Sequence, residues 1–403
     1  MRIGTGPLRK KRAARTSRIL VTGGTGFLGS HIAFALLRAG YRVTVLSRSS
    51  KNLPARDRVA HLADWLGLEE EERRRLAVAE GDILDPGWAA AALEGPAGPG
   101  PVDEIVHCAS NTSFAERKRA EVEAVNIDGL RNVLDFAARS GCFFFHDVST
   151  AFVAGKRTGL CREEWVESGE FTNVYEETKA RGEVLVRDVC RREGIRLNVC
   201  RPSIVYGDSR TGRTLRFNAL YFPVKAAVFL RDIYLADIRE RNGRKAAELG
   251  IRMMENRFLF MPIRIEVGRE GGINLVPIDH CVDVFMAILE DSLDGGIYHI
   301  VNPRPTRIED VVDHAKRLFR LDGIETCGPG AFDARPKNAL ETLYDATLDV
   351  YRPYMQDLRI FEIKNAAPVL ESHGLVCPEF TYDVFARCMN YAVEAGWGAR
   401  LLP

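Results

Sequence analysis

The sequence has few of the features that mark secreted, membrane-spanning or metal-binding proteins. Its nine cysteines are scattered, odd in number and never spaced C-x-x-C, which predicts free thiols in a reducing compartment. It contains no H-E-x-x-H motif or cysteine pair that would suggest a metal site. No run of about eighteen apolar residues predicts a transmembrane helix. These absences favour a cytoplasmic protein without a bound metal.

The net charge of the chain is also close to zero. The formal net charge is +1 over 403 residues, so nothing in the balance calls for a nucleic acid partner. Residues 1–17 contain Arg9-Lys-Lys-Arg12 but no apolar core of a secretory signal, and we predict a basic, disordered leader. Apolar residues make up 46%, which is ample for the core of one large α/β domain with an additional lobe.

The chain is organised around residues 18–30, which predict a buried strand (19–21), a glycine turn and a helix ending near residue 40. Three glycines form a G-x-x-G-x-x-G pattern between strand and helix, a context that favours a dinucleotide site. The helix N-terminus would face the pyrophosphate. A tight turn without a ligand is the alternative. The cofactor-binding residues predicted here are Gly23, Thr25, Gly26, Phe27, Leu28 and Gly29.

The next strand, predicted over residues 41–46, ends in Ser47-Arg-Ser-Ser-Lys51 without a carboxylate. In folds of this type an acidic residue about twenty positions beyond the glycines holds the ribose 2′-hydroxyl, whereas an arginine accommodates a 2′-phosphate. Arg48 therefore predicts NADP(H) as the cofactor. The alternative is an exposed arginine that merely follows a strand.

Further strands alternate with helices and predict a Rossmann-type, doubly wound parallel sheet of the α/β class. The predicted strands are 81–84, 104–110, 142–148, 196–200, 273–276 and 297–301, with helices at 126–140 and 280–291. Because ligands bind at the carboxyl ends of such strands, we expect cofactor contacts there. The residues predicted for these contacts are Asp82, Ile83, Cys108, Ala109 and Ser110.

The alternation stops after residue 212, which suggests how the chain is divided. Residues 18–212 would form the NADP-binding domain, and residues 273–303 would return to it. Residues 213–272 and 304–403 would form a smaller, mostly helical substrate lobe.

Tyr175 and Lys179 stand four apart, so a helix would place both on one face. An ammonium group nearby would lower the pKa of the phenol, which could then exchange a proton with a carbonyl oxygen. Tyr221 and Lys225 show the same spacing, but Pro223 between them disfavours a regular helix. We interpret that second pair as coincidental.

Two polar residues could join the tyrosine and lysine. Thr150 closes the fifth strand and could donate to the same carbonyl oxygen, with Ser149 as the neighbouring alternative; a turn cap is the simpler interpretation. Asn126 opens a helix, either as a plain N-cap or as a link in a proton relay through water to Lys179.

Four motifs together resemble the extended short-chain dehydrogenase/reductases: Thr22-Gly-Gly-Thr-Gly-Phe-Leu-Gly29, Asp147-Val-Ser-Thr150, Tyr175-x-x-x-Lys179 and Arg201-Pro-Ser-Ile-Val-Tyr-Gly207. Within that superfamily, residues 148–155 and 201–212 look most like thioester reductases. These include fatty acyl-CoA reductases and the terminal reductase domains of carboxylic acid reductases and peptide synthetases. The resemblance implies a catalytic triad of Thr150, Tyr175 and Lys179, with Lys179 also holding the nicotinamide ribose. It implies a nicotinamide end lined by Ser110, Pro202 and Ile204.

The leading hypothesis is therefore an NADPH-dependent reductase that acts on an acyl thioester of coenzyme A or of a carrier protein. Its product would be the aldehyde, and a second reduction could give the alcohol. An extended dehydrogenase or epimerase acting on a nucleotide sugar or sterol-like alcohol is the alternative, and a non-catalytic NADPH sensor is a third hypothesis.

Residues 215–236 could line an acyl channel, rest peripherally against a membrane, or simply pack in the core. Arg239, Arg241, Arg244 and Lys245 could meet phosphates or an acidic carrier, or form a solvated helix face. The protein would be a monomer or homodimer.

Overall fold

The computed structural model describes residues 17–50, 53–85, 87–88, 100–268, 271–349, 351–355 and 357–399. The predicted leader lies, apart from residue 17, outside these residues, as does Lys51.

Seven parallel strands form the central sheet, in the order β12-β7-β5-β4-β1-β2-β3. Apolar runs such as Ile19, Leu20 and Val21 are buried on both faces, as parallel strands require. The strands are β1 (Arg18–Thr22), β2 (Arg42–Ser47), β3 (Leu76–Glu80), β4 (Glu104–His107), β5 (Phe144–Val148), β7 (Arg196–Pro202) and β12 (Gly296–Ile300). The predicted Rossmann-type sheet is confirmed.

Helices cover both faces of the sheet. Apolar side chains of α1, α2 and α9 pack against one face, and those of α5 and α6 pack against the other. The helices up to this point are α1 (Phe27–Arg38), α2 (Ala55–Trp65), α3 (Glu70–Arg73), α4 (Arg119–Glu123), α5 (Leu130–Ser140), α6 (Val174–Glu193), α7 (Tyr221–Glu240), α8 (Arg244–Glu248) and α9 (Ile278–Asp291). A six-residue π-helix (Ala124–Gly129) joins α4 to α5. The sheet is therefore doubly wound.

The third strand lies earlier than predicted. Residues 81–84 are not a strand, because the ladder between β2 and β3 ends at the pair Ser47 and Glu80. Beyond it the carboxylate of Asp82 accepts a hydrogen bond from the backbone N–H of Leu84 at 3.0 Å and turns the chain. Asp82 and Ile83 thus follow the strand instead of belonging to it. The fourth strand also stops at His107, so Cys108, Ala109 and Ser110 lie in the loop beyond it.

The lobe after residue 212 is mostly helical as predicted, but it also contains a three-stranded sheet that the sequence analysis missed. This sheet has the order β13-β10-β9. Along β10 the residues Leu259, Met261, Ile263 and Ile265 are buried in alternation. The remaining elements are α10 (Ile308–Phe319), α11 (Pro329–Asp333), α12 (Ala339–Leu348), α13 (Arg352–Met355), α14 (Ala367–His373) and α15 (Tyr382–Glu394), with strands β9 (Arg252–Met253), β10 (Leu259–Glu266) and β13 (Leu321–Cys327).

Two small parallel pairs of strands lie outside these two sheets. Strand β11 (Leu275–Pro277) pairs with β8 (Ile204–Tyr206), and β14 (Arg359–Phe361) pairs with β6 (Gly159–Cys161). Residues 359–361 thus pair with a segment that precedes the tyrosine helix α6. Among the described residues, no helix combines the length and apolarity needed to cross a membrane.

The expectation that Pro223 disfavours a regular helix between Tyr221 and Lys225 is wrong. Helix α7 begins at Tyr221, so Pro223 lies in its first turn, where no preceding helical carbonyl needs its missing N–H. The Tyr221 side chain is 2% exposed, and its hydroxyl accepts a hydrogen bond from the backbone N–H of Gly207 at 3.0 Å. Lys225 is exposed. Tyr221 therefore has a structural partner of its own.

Candidate active site

The glycine turn can be built only from glycine at two positions. Gly23 has φ = +68°, and a Cβ on it would lie 2.5 Å from the backbone nitrogen of Ala109. A Cβ on Gly29 would lie 2.3 Å from the carbonyl oxygen of Gly23. The N–H of Gly26 donates to that same carbonyl oxygen at 2.8 Å, and α1 begins at the next residue. The turn thus presents the N-terminus of α1 to the adjacent cleft, which fits a bound pyrophosphate.

This cleft has a volume of about 270 Å³. Nine residues predicted from the sequence line it: Gly23, Thr25, Gly26, Arg48, Asp82, Ile83, Cys108, Ala109 and Ser110. Phe27 and Leu28 instead pack partly against the core, and Gly29 permits close packing on the turn. Pro202 and Ile204 do not line the cleft; Ile204 lines a separate apolar cavity.

Two arginines in this cleft were not identified from the sequence. Arg58, on α2, donates to the carbonyl oxygen of Arg48 at 2.6 Å and to the hydroxyl of Thr25 at 3.3 Å. Burial lowers the pKa of Arg58, as do, to a smaller extent, the charges of Arg48 and Arg216. Arg216 also lines the cleft. The guanidinium of Arg48 pairs with Asp82 at 3.1 Å and is 64% exposed. The cleft therefore has one end rich in positive charge, suited to a phosphate.

Thr150, Tyr175 and Lys179 converge beyond the ends of β5 and at the start of α6. Thr150 is 4% exposed, donates to the carbonyl oxygen of Pro202 at 3.4 Å, and is hydrogen-bonded to Tyr175. The Lys179 ammonium donates to the carbonyl oxygen of Val148 at 2.9 Å. The hydroxyl of Ser149, the alternative to Thr150, has no hydrogen-bond partner among the described residues.

The expected lowering of the phenol pKa is not found in this arrangement. Burial raises the pKa of Tyr175 to about 12, and the hydrogen bond with Thr150 is what lowers it in part. The Lys179 ammonium instead contacts Val148 and lies 3.8 Å from the carboxylate of Asp147. Because its pKa lies far above 7, the phenol is protonated at neutral pH and holds the proton that a general acid needs.

Asp147 lies beside Lys179, and, like Arg58 and Arg216, it was not predicted from the sequence as a site residue. It is 1% exposed, and burial raises its pKa to about 6 while the Lys179 charge lowers it. Its position just before Val148-Ser-Thr150 was visible, but its burial beside the lysine was not. This carboxylate gives the buried ammonium a counter-charge.

Asn126 has a different structural position from the one expected. It lies inside the π-helix and caps no helix, so the interpretation as a plain N-cap is wrong. Its side-chain oxygen accepts from the Ser110 hydroxyl at 3.1 Å and from the Asn111 N–H at 2.8 Å, and its amide donates to the Thr178 hydroxyl at 2.9 Å. Asn126 thus connects the loop of the cleft to α6, next to Lys179.

Comparison with known proteins agrees with this architecture. Residues 21–285 match the family model described as male sterility protein. Over 199 residues the chain is 28% identical to 3 beta-hydroxysteroid dehydrogenase/Delta 5-->4-isomerase of Mycobacterium tuberculosis, covering 47% of this chain and 48% of that protein. It is 33% identical over 178 residues to UDP-glucose 4-epimerase 2 of Oryza sativa subsp. japonica, covering 43% and 40%. The chain thus spans about half the length, or less, of these curated relatives.

A solved structure matches nearly the whole chain. The terminal R domain from the myxalamid PKS-NRPS biosynthetic pathway superposes with a TM-score of 0.72 at 20% identity, covering 96% of this chain and 92% of that one. At this identity the likeness establishes the fold alone. The family match spans the glycine turn, the tyrosine and the lysine. The chain therefore belongs to the male sterility protein family, within the extended short-chain dehydrogenase/reductases, which bind a nicotinamide cofactor in a Rossmann domain.

Proposed function

We propose that the protein is an NADPH-dependent reductase that converts an acyl thioester to an aldehyde, with further reduction to the alcohol left open. The observation that carries this proposal is an apolar cavity lined by, among others, Tyr351 and Tyr354, whose rings also contact Phe114 beside Tyr175. Phe114 contacts both of these tyrosines and also Tyr175, at 5.9 Å between ring centroids. The ring of Phe114 therefore lies between the residues that line the cavity and the proposed proton donor.

The cavity suits an acyl chain because of its lining. Among the described residues that line it, none carries a charge, and three tyrosines supply the side-chain polar atoms. Five residues from the segment 215–236 line this cavity: Ala219, Leu220, Pro223, Val224 and Ala227. A nucleotide sugar requires many hydrogen-bonding partners, and buried polar groups without them are strongly disfavoured. The lining thus supports an apolar acyl group over a sugar.

In the proposed reaction Thr150, Tyr175 and Lys179 each have a role. Bound NADPH supplies the hydride. The hydroxyls of Thr150 and Tyr175 would stabilise the negative charge that develops on the thioester oxygen, and Tyr175 would donate its proton there. Lys179, held by Val148 and Asp147, lies one helical turn from Tyr175, and its positive charge would stabilise the phenolate that remains after the proton is donated. The thiol would then leave as the tetrahedral adduct collapses.

The function is tested by incubating the protein with NADPH and a panel of acyl-CoAs and acyl-carrier proteins of different chain lengths. We expect an aldehyde or alcohol, with NADPH consumed in proportion. The relatives that act on steroids and nucleotide sugars favour a second candidate, an alcohol dehydrogenase or epimerase of the same family. Oxidation of a sterol or sugar with NADP⁺, together with indifference to every thioester, would reject the reductase.

Arg58 provides a test of cofactor choice. If Arg48 and Arg58 hold the 2′-phosphate, Arg58→Ala should raise the KM for NADPH about 10-fold to 100-fold, because one charge-assisted interaction is lost. The KM for NADH should change little. Arg56→Ala, at an exposed position of the same helix outside the cleft, serves as the control. An equal loss with both cofactors would show that Arg58 does not contact the 2′-phosphate.

Ala227 provides a test of the acyl cavity. Its side chain is 5% exposed and lines the cavity from α7. Ala227→Phe should fill part of this space and lower kcat/KM for a dodecanoyl thioester by roughly 10-fold or more, while a butanoyl thioester is reduced at nearly the original rate. Ala247→Phe, at an exposed position of α8, controls for added bulk. Equal losses for both chain lengths would place the acyl chain elsewhere.

A further inference from the structure

Tyr354 forms hydrogen bonds with the residues on both sides of Tyr175. Its hydroxyl accepts a hydrogen bond from the side-chain amide of Asn173 and donates one to the carboxylate of Glu176, both at 2.7 Å. Asn173 is the N-cap of α6, and its side-chain oxygen accepts from the N–H of Glu176 at 3.1 Å. The tyrosine hydroxyl therefore closes a ring of hydrogen bonds around the first turn of the helix that carries Tyr175.

These groups are buried, so the hydrogen bonds are protected from water. Glu176 is 0% exposed and Tyr354 is 5% exposed. The other oxygen of Glu176 accepts from the backbone N–H of Thr172 at 2.8 Å. Arg359 lies 3.9 Å from the Glu176 carboxylate and is itself paired with Asp357 at 2.7 Å. Loss of one partner in such a network leaves a buried polar group unsatisfied.

The ring of Tyr354 faces the apolar cavity. It lines the cavity together with Tyr351 and contacts Phe152 at 5.1 Å and Phe114 at 5.6 Å between ring centroids. Phe114 in turn contacts the ring of Tyr175. One side chain from the C-terminal part of the lobe thus touches the acyl cavity with its ring and the catalytic helix with its hydroxyl.

We propose that Tyr354 is a positioning residue that couples filling of the apolar cavity to the orientation of Tyr175. This inference rests on the proposed function, because it takes an acyl chain to be the group that fills the cavity. An acyl chain packed against the Tyr354 ring restricts the motion of that ring. The Tyr354 hydroxyl then fixes Asn173 and Glu176, which lie on either side of Tyr175 in the sequence. Binding energy from the remote part of the substrate is thereby used at the reacting atoms.

Tyr354→Phe tests this coupling, since it keeps the ring and removes only the hydroxyl. The kcat for a dodecanoyl thioester should fall roughly tenfold, the effect of one lost hydrogen bond in the transition state, with KM nearly unchanged. The ratio of kcat between dodecanoyl and butanoyl thioesters should fall toward one. The matched control is Tyr298→Phe, because the buried Tyr298 also donates a hydrogen bond from its hydroxyl, to the Ser292 hydroxyl at 2.9 Å, but does not line the cavity. Equal effects of the two variants, or an unchanged chain-length ratio, would overturn the proposal.

A second measurement needs no turnover and separates this proposal from the proposed function. Hydrogen exchange of residues 172–179 is followed with and without 1-dodecanol as the cavity probe. The original protein and Tyr298→Phe should gain protection with the alcohol, and Tyr354→Phe should not. Absence of protection in the original protein, or the same gain in Tyr354→Phe, would overturn the coupling whether or not thioesters are reduced. If Tyr354→Phe does not fold, Glu176→Gln weakens the same hydrogen bond from its other end and should show the same loss.

Discussion

Tyr175→Phe is expected to lower kcat for thioester reduction by about 10²-fold to 10⁴-fold, the range for loss of a general acid. The variant lacks both the proton that the phenol holds at neutral pH and the hydrogen bond with Thr150. Affinity for NADPH should stay within about twofold, because the cleft is lined by other residues. Steady-state kinetics and the change in NADPH fluorescence on binding measure the two quantities separately.

Tyr221→Phe is the matched control, since Tyr221 begins the second Y-x-x-x-K sequence of the chain. Removal of its hydroxyl leaves the N–H of Gly207 without a partner and should lower the free energy of unfolding by about 1–3 kcal/mol. Its kcat should remain near that of the original protein. If Tyr175→Phe keeps more than a tenth of the original kcat, the proton comes from another group and the assigned acid is wrong.

The parts of the site that could be predicted from sequence are those close together along the chain. The glycine turn joins one strand to the next helix, so its geometry is set within residues 18–38. Thr150, Tyr175 and Lys179 lie within 30 residues, and helical spacing alone aligns the last two. Arg48 was found for a similar reason, because the end of the second strand is a fixed distance from the glycines.

The parts that were missed depend on contacts between distant residues. The hydrogen bond between Tyr354 and Glu176 joins residues 178 apart, and no periodicity predicts which distant hydroxyl reaches a helix cap. Asp147 was visible in a motif, but its raised pKa comes from burial, which only the folded chain reveals. Strand β10 was missed although its apolar residues alternate, because Pro262 interrupts the pattern; the proline lies on the less buried side.

The cofactor cleft and the apolar cavity also differ in how well each should tolerate amino-acid substitutions. At the glycine turn the cleft is bounded by backbone, at Gly23, Ala109 and the N-terminus of α1. The cavity is bounded by side chains from α7, α10, α12 and the lobe sheet. Side chains can be exchanged without changing the backbone, so one Rossmann core can serve different substrates. We therefore expect substitutions in the cavity to alter specificity and those in the glycine turn to abolish function.

Gly23→Ala is the second change with a large expected effect. The left-handed backbone at φ = +68° costs a residue with a Cβ about 1–2 kcal/mol. In addition, the new Cβ would lie 2.5 Å from the Ala109 nitrogen and 2.6 Å from the Cys108 carbonyl carbon, which are backbone atoms that cannot rotate away. Strands β1 and β4 must separate at the floor of the cleft. We expect NADPH affinity to fall by at least about 100-fold, as measured by fluorescence titration.

Gly194→Ala separates backbone strain from the clash. Gly194 has the same φ of +68°, as the C-cap of α6, but a Cβ there meets nothing within 4 Å. It should lose about 1–2 kcal/mol of unfolding free energy and bind NADPH normally. Thermal unfolding of both variants measures the loss of unfolding free energy, and fluorescence titration with NADPH measures the affinity for the cofactor. If Gly23→Ala binds NADPH as tightly as Gly194→Ala does, the close approach of the turn to Ala109 is not what forms the cofactor site, and the pyrophosphate must bind elsewhere.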